Sequence, residues 1–122
     1  MYESKVKSRE TDRLFEAILS LQSVEECYRL FDDLCTFNEV VAMSQRFHVA
    51  EMLAKGTTFT TISEKTGVSS ATITRVNRCV HYGAGGYRLV HDRLKEQEKA
   101  AKKAAREAAK AAKEEAKAAE EA

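Results

Sequence analysis

A chain of 122 residues with no proline, and with four of its five glycines at Gly67 or beyond, has few points at which to turn sharply. An all-β fold needs such points between every pair of short strands, so the chain is expected to be all-α. Helix-forming residues dominate throughout. From Lys95 onward the composition changes abruptly, which divides the chain into a flexible N-terminus (1–9), a folded domain (10–94) and a low-complexity charged tail (95–122). A folded part of at most about 95 residues buries a limited core, so dimerisation is a natural source of stability.

The segment from Phe59 to His81 has the pattern of a helix-turn-helix. Two short helices crossing steeply need apolar residues where they touch, a small residue at the crossing and a turn residue that tolerates a left-handed backbone. Ile62 and Thr66 face inward from the first helix, Ser63 keeps the crossing small and Gly67 makes the turn. Val68, Ile73 and Val76 close the core from the other side. Ser69, Ser70, Ala71, Thr74, Arg75 and Arg78 are left pointing outward, a set of small polar residues and arginines suited to a DNA groove.

Upstream, Leu14, Phe15, Ile18, Leu19 and Leu21 form a helical stripe. Ser23 followed by Glu26 has the spacing of a capping box and opens a second helix with Val24, Cys27, Tyr28, Phe31, Leu34 and Cys35 on its apolar side. Asn38 is expected to cap a third helix, which carries Val40, Val41, Met43, Phe47, Ala50, Met52 and Leu53 and stops at Gly56. The first two helices hold more apolar surface than a small monomer hides easily, so they are expected to pack against a second copy; a monomeric bundle is the alternative. Downstream, Tyr82 to Gly86 ends the recognition helix, and Tyr87, Leu89, Val90 and Leu94 begin a last one. The tail holds no large apolar residue after Leu94, and its eight bases and seven acids nearly cancel, which suits a solvated helical or partly disordered spacer rather than a basic arm of the usual kind.

The net charge of +1 hides a division along the chain. Residues 10–39 carry eight acids against Arg13 and Arg29, whereas residues 64–94 carry five bases against Glu64 and Asp92. The positive field is local to the helix-turn-helix half, where a polyanion would bind. Cys27, Cys35 and Cys79 form no disulfide pattern, and no apolar run approaches membrane-spanning length, so a cytoplasmic protein without membrane contact is expected.

Catalytic and metal chemistry find little support. His48, His81, His91 and the cysteines lack metal-ligand spacing, and Glu25-Glu26 and Asp32-Asp33 suit solvated helix faces. The glycine-rich Gly83–Gly86 follows no strand, so a helix cap and hinge is expected rather than a phosphate loop. No enzyme activity, no catalytic residue and no metal site are therefore expected.

Residues Thr36 to Val80 resemble the tryptophan repressor superfamily, and residues 10–94 resemble its YerC/YecD-type members. The most specific match is Ala71-Thr72-Ile73-Thr74-Arg75 after Gly67, joined upstream by Thr36, Glu39, Ala42, Arg46, Glu51, Leu53 and Gly56. The stretch from Gly56 to Gly67 is one residue shorter than in the repressor. The resemblance implies about six helices, an intertwined dimer and a helix-turn-helix made by the fourth and fifth helices. Two arginines that sandwich tryptophan in the repressor match Arg46 and Arg75. The glycine that makes room for the indole matches Val76, however, and a serine near the ligand's amino group matches Cys79. Arg46, Arg75, Val76 and Cys79 thus form a possible effector pocket from which tryptophan is expected to be excluded, and no cofactor is expected. The two arginines are left to hold another anionic or aromatic effector, to pair with acids such as Glu39, or to contact phosphate.

The expected function is a homodimeric, sequence-specific regulator of transcription, a repressor by resemblance, whose partners are double-stranded DNA and a second copy of itself. Ser70, Ala71 and Thr74 would lie nearest the bases, while Arg78, Lys65 and Thr60 would hold the backbone. The alternative is a protein-interaction module that keeps the helix-turn-helix as a packing unit.

Overall fold

The computed structural model describes residues 2–121. Six α-helices follow one another, with no strand among the described residues: α1 (Arg9–Leu19), α2 (Val24–Leu34), α3 (Phe37–Ala54), α4 (Phe59–Thr66), α5 (Ser70–Tyr82) and α6 (Gly86–Glu121). The all-α expectation and the helix count both hold. The chain divides into two units, residues 1–44 and 45–122.

Helix starts reuse one local device. Ser8, Thr58 and Ser69 cap α1, α4 and α5, each accepting the backbone N–H three residues on, from Thr11, Thr61 and Thr72. In each case the capping hydroxyl also bonds the threonine hydroxyl, at 2.8, 2.9 and 3.0 Å. The arrangement satisfies an amide that helix geometry leaves unpaired. At α2, Ser23 accepts the Glu26 amide at 3.1 Å, but the Glu26 carboxylate accepts from Gln22 rather than from Ser23. The fully reciprocal capping box lies one helix later. The Thr36 hydroxyl accepts the Glu39 amide, and the Glu39 carboxylate accepts the Thr36 amide at 2.8 Å. Thr36 therefore starts α3, and Asn38, expected as the cap, falls inside its first turn. The bond from the Thr36 backbone, reinforced by the Thr36 side chain, holds the Glu39 carboxyl below its usual pKa of 4.5.

The N-terminal unit has no buried residue in either α1 or α2. Leu14, Ile18 and Leu21 are half-buried, whereas Leu19 is 84% exposed, Val24 73% and Phe37 81%. A shallow apolar depression of about 270 Å³ lies between Val24, Tyr28, Phe31 and Val40. Its surface ion pairs, Lys7–Asp12, Arg13–Glu16 and Arg29–Glu25, join exposed side chains and contribute little to stability.

The core belongs to the C-terminal unit. Val49, Ala50, Ile62, Val68, Ile73 and Val76 are buried together, with Met52, Leu53, Val80 and Tyr87 packed around them. Val49, Ile62 and Ile73 have no exposed surface at all. Burying each such side chain contributes about 1.5–3 kcal/mol. Val49 is absent from the sequence-derived apolar set of α3, although it forms an i, i+3, i+4 stripe with Met52 and Leu53. Phe47 and Tyr87 pair their rings at 6.4 Å, which fixes the first turn of α6. At the end of α5, Gly83 lies so close to the preceding turn that a Cβ there would stand 2.4 Å from the Cys79 carbonyl oxygen.

Candidate nucleic-acid interface

Helices α4 and α5 are joined by Gly67, Val68 and Ser69. Gly67 adopts φ +71°, a left-handed conformation open to glycine at little cost, and its N–H closes α4 on the Ser63 carbonyl at 2.9 Å. The turn is then bridged by side chains. The Thr66 hydroxyl donates to the Ile62 carbonyl at 2.7 Å and accepts the Val68 amide at 3.1 Å, while the Ser63 hydroxyl donates to the Val68 carbonyl at 3.4 Å. Ile62 from α4 and Ile73 and Val76 from α5 meet beneath these bonds. Of the inward set read from the sequence, Ile62, Val68, Ile73 and Val76 are buried and Thr66 is half-buried.

With Ile73 and Val76 locked inward, the opposite side of α5 is presented to solvent. Ser69, Ser70, Ala71, Thr74, Arg75 and Arg78 are all exposed, as are Thr60 and Lys65 on α4. Ser69 and Thr74 are also committed to internal bonds. The Ser69 hydroxyl caps α5 through Thr72, and the Thr74 hydroxyl donates to the Ser70 carbonyl at 2.9 Å. The Ser69–Thr72 coupling was not anticipated, although the same Ser/Thr-x-x-Thr spacing at Ser8–Thr11 and Thr58–Thr61 signals it. Arg75 and Arg78 take part in no ion pair among the described residues, so their guanidinium groups are available to an external anion.

The residues of the possible effector pocket have separate surroundings. Arg46 is half-buried on α3, Arg75 is exposed and Val76 is 1% exposed within the core. Cys79 lines an open depression of about 460 Å³ with Phe47, Gly83, Tyr87 and Val90, and neither arginine nor Val76 lines it. Glu39 is engaged with Thr36, and Arg46 takes part in no ion pair among the described residues. No helix among the described residues is long and apolar enough to cross a membrane.

The comparisons with known proteins agree with this geometry. Residues 9–95 match the family model described as Trp repressor protein. The Bacillus subtilis protein YerC is 52% identical over 94 residues, covering 77% of this chain and 90% of that protein. A crystal structure of a TrpR-like protein from Eubacterium eligens superposes with a TM-score of 0.71 at 51% identity, covering 74% of this chain and 93% of that one. Another solved structure, from Staphylococcus aureus, has a TM-score of 0.72 at 46% identity and covers 75% of this chain and 91% of its own. The chain therefore belongs to the Trp repressor family, a family of regulators rather than enzymes.

Proposed function

We propose that this protein is a homodimeric, sequence-specific DNA-binding regulator that does not use tryptophan as its corepressor. One observation carries the reading: the outer face of α5, from Ser69 to Arg78, is exposed while the same helix is anchored by fully buried Ile73 and Val76. A rigid helix of 13 residues presenting small polar groups and two uncommitted arginines fits the width of a major groove. Ser70, Ala71 and Thr74 read base edges, and Arg75, Arg78, Lys65 and Thr60 hold phosphates.

Dimerisation is favoured by the N-terminal unit, whose α1 and α2 contain no buried residue and display Leu19, Val24 and Tyr28 to solvent. A second copy would supply the missing core, and two α5 helices would read half-sites about 34 Å apart. The exclusion of tryptophan rests on Val76, whose side chain fills the core where the family's repressor has glycine. We place the protein in the cytoplasm with its DNA. Selection from random duplexes tests the reading: a pseudo-palindromic consensus is expected. Enrichment of no sequence would favour the interaction module instead, and saturable micromolar tryptophan binding by calorimetry would remove the corepressor claim.

A further inference from the structure

The last 27 residues lie beyond the family's matched region, and α6 runs through them without a break to Glu121. Its eight bases and seven acids nearly cancel in total, but the helix sorts them. At 3.6 residues per turn, Lys99, Lys102, Lys103, Arg106, Lys110 and Lys113 fall within about 60° of a single line along the helix. Between residues 99 and 113 only Glu107 opposes them, at the edge of the stripe, and the acids gather beyond it at Glu114, Glu115, Glu120 and Glu121. The stripe is about 21 Å long at 1.5 Å per residue, with alanines on the opposite face. All of these side chains are exposed, and among the described residues no ion pair reaches into this segment.

We propose that this stripe is a second, sequence-independent binding surface for the phosphate backbone of duplex DNA. A helix that served only as a spacer would be steadied by placing acids four residues before bases. After Leu94 only Glu98–Lys102 has that order, whereas Lys99–Lys103, Lys102–Arg106 and Arg106–Lys110 stack like charges at the same spacing, a repulsion relieved when a polyanion lies along the helix. The alanine face discriminates among polyanionic partners. A membrane-surface helix requires large apolar side chains opposite its cations, and a helix docking in a protein groove requires apolar anchors at i, i+3, i+4 and i+7. No residue larger than alanine is apolar after Leu94. A straight array of cations about 4 Å apart along the axis matches a rigid, regularly charged rod. The choice of duplex DNA rests on the function proposed for α5. The stripe belongs to the helix that follows α5 directly and is anchored at its start by Tyr87 against Phe47.

The test measures binding of the full chain to random-sequence and selected duplexes by fluorescence anisotropy across a salt series. Joint replacement Lys102→Gln, Lys103→Gln, Arg106→Gln and Lys110→Gln is expected to reduce the slope of log K against log salt by about three to four for each bound subunit. A second variant keeps the net charge but breaks the stripe, combining Lys103→Glu with Glu98→Lys and Lys110→Glu with Glu115→Lys. It is expected to lose at least tenfold in affinity for random duplex. An unchanged slope in the first variant, unchanged affinity in the second, or preferential binding of the full chain to anionic phosphatidylserine vesicles would overturn the proposal. The two readings fail differently. Loss of the α5 function leaves equal, tail-dependent binding to both duplexes, whereas loss of the tail function leaves sequence preference with a slope indifferent to both variants.

Discussion

The backbone N–H of Val68 donates to the Thr66 hydroxyl at 3.1 Å, and that hydroxyl donates in turn to the Ile62 carbonyl at 2.7 Å. One side chain thereby ties the last turn of α4 to the first buried residue of the helix-turn-helix turn. Thr66→Val keeps the shape but leaves the Val68 amide unpaired, at a cost of about 1–2 kcal/mol. Thr66→Ser retains the bridge and is expected to be milder; urea unfolding of the two variants makes the comparison.

Thr74 directs its hydroxyl to the Ser70 carbonyl, so its methyl is the group left to meet a thymine methyl. Thr74→Val is expected to keep the base preference, and Thr74→Ser to relax it by about 1 kcal/mol at one position of each half-site. Competition binding with single-base operator variants distinguishes these outcomes, and equal behaviour of the two proteins would count against methyl readout.

Arg78 is exposed near the middle of α5 and takes part in no ion pair among the described residues. As a phosphate contact it sets affinity without selecting sequence. Arg78→Ala is expected to weaken all duplexes alike and to reduce the salt slope by about 1 for each bound subunit. A change in the selected consensus would reassign Arg78 to a base.

Leu19 and Phe37 are among the most exposed apolar side chains in the N-terminal unit. If a second copy covers them, Tm rises with protein concentration, because association is linked to folding. Leu19→Ser combined with Phe37→Ser is expected to shift the oligomer toward monomer in sedimentation measurements. A concentration-independent Tm for the parent protein would count against the dimer.

The Glu39 carboxyl is held below its usual pKa by the Thr36 backbone N–H and then by the Thr36 side chain. A lowered folded pKa means that the unfolded chain takes up the proton first as the pH falls. The associated stabilisation is fully present above the ordinary value of 4.5 and disappears as the pH drops through the lower folded value. Glu39→Gln removes this part of the acid dependence; acid titrations of both proteins, followed by circular dichroism, give the difference.

The helix-turn-helix was legible because its requirements are local. Gly67 must supply a left-handed turn, Ile73 and Val76 stand at i, i+3 on α5 opposite Ile62 of α4, and the exposed set from Ser69 to Arg78 is what burial of those three leaves over. The opening of α3 was read less well. Asn38 was the expected cap, but Thr36 takes that place because Glu39 closes its box from the third helical position.

Residue order alone determined an all-α chain, the turn at Gly67 and the polar outer face of α5, because helix periodicity and backbone permissiveness act over a few residues. Tertiary packing decided which apolar residues are enclosed. Val49 has no exposed surface, while Leu19 and Phe37, equally apolar in sequence, are left largely in solvent. It also decided that Cys79 opens to a depression without Arg46 or Arg75. Burial depends on which helices meet, and that is a property of contacts distant along the chain rather than of spacing within one element.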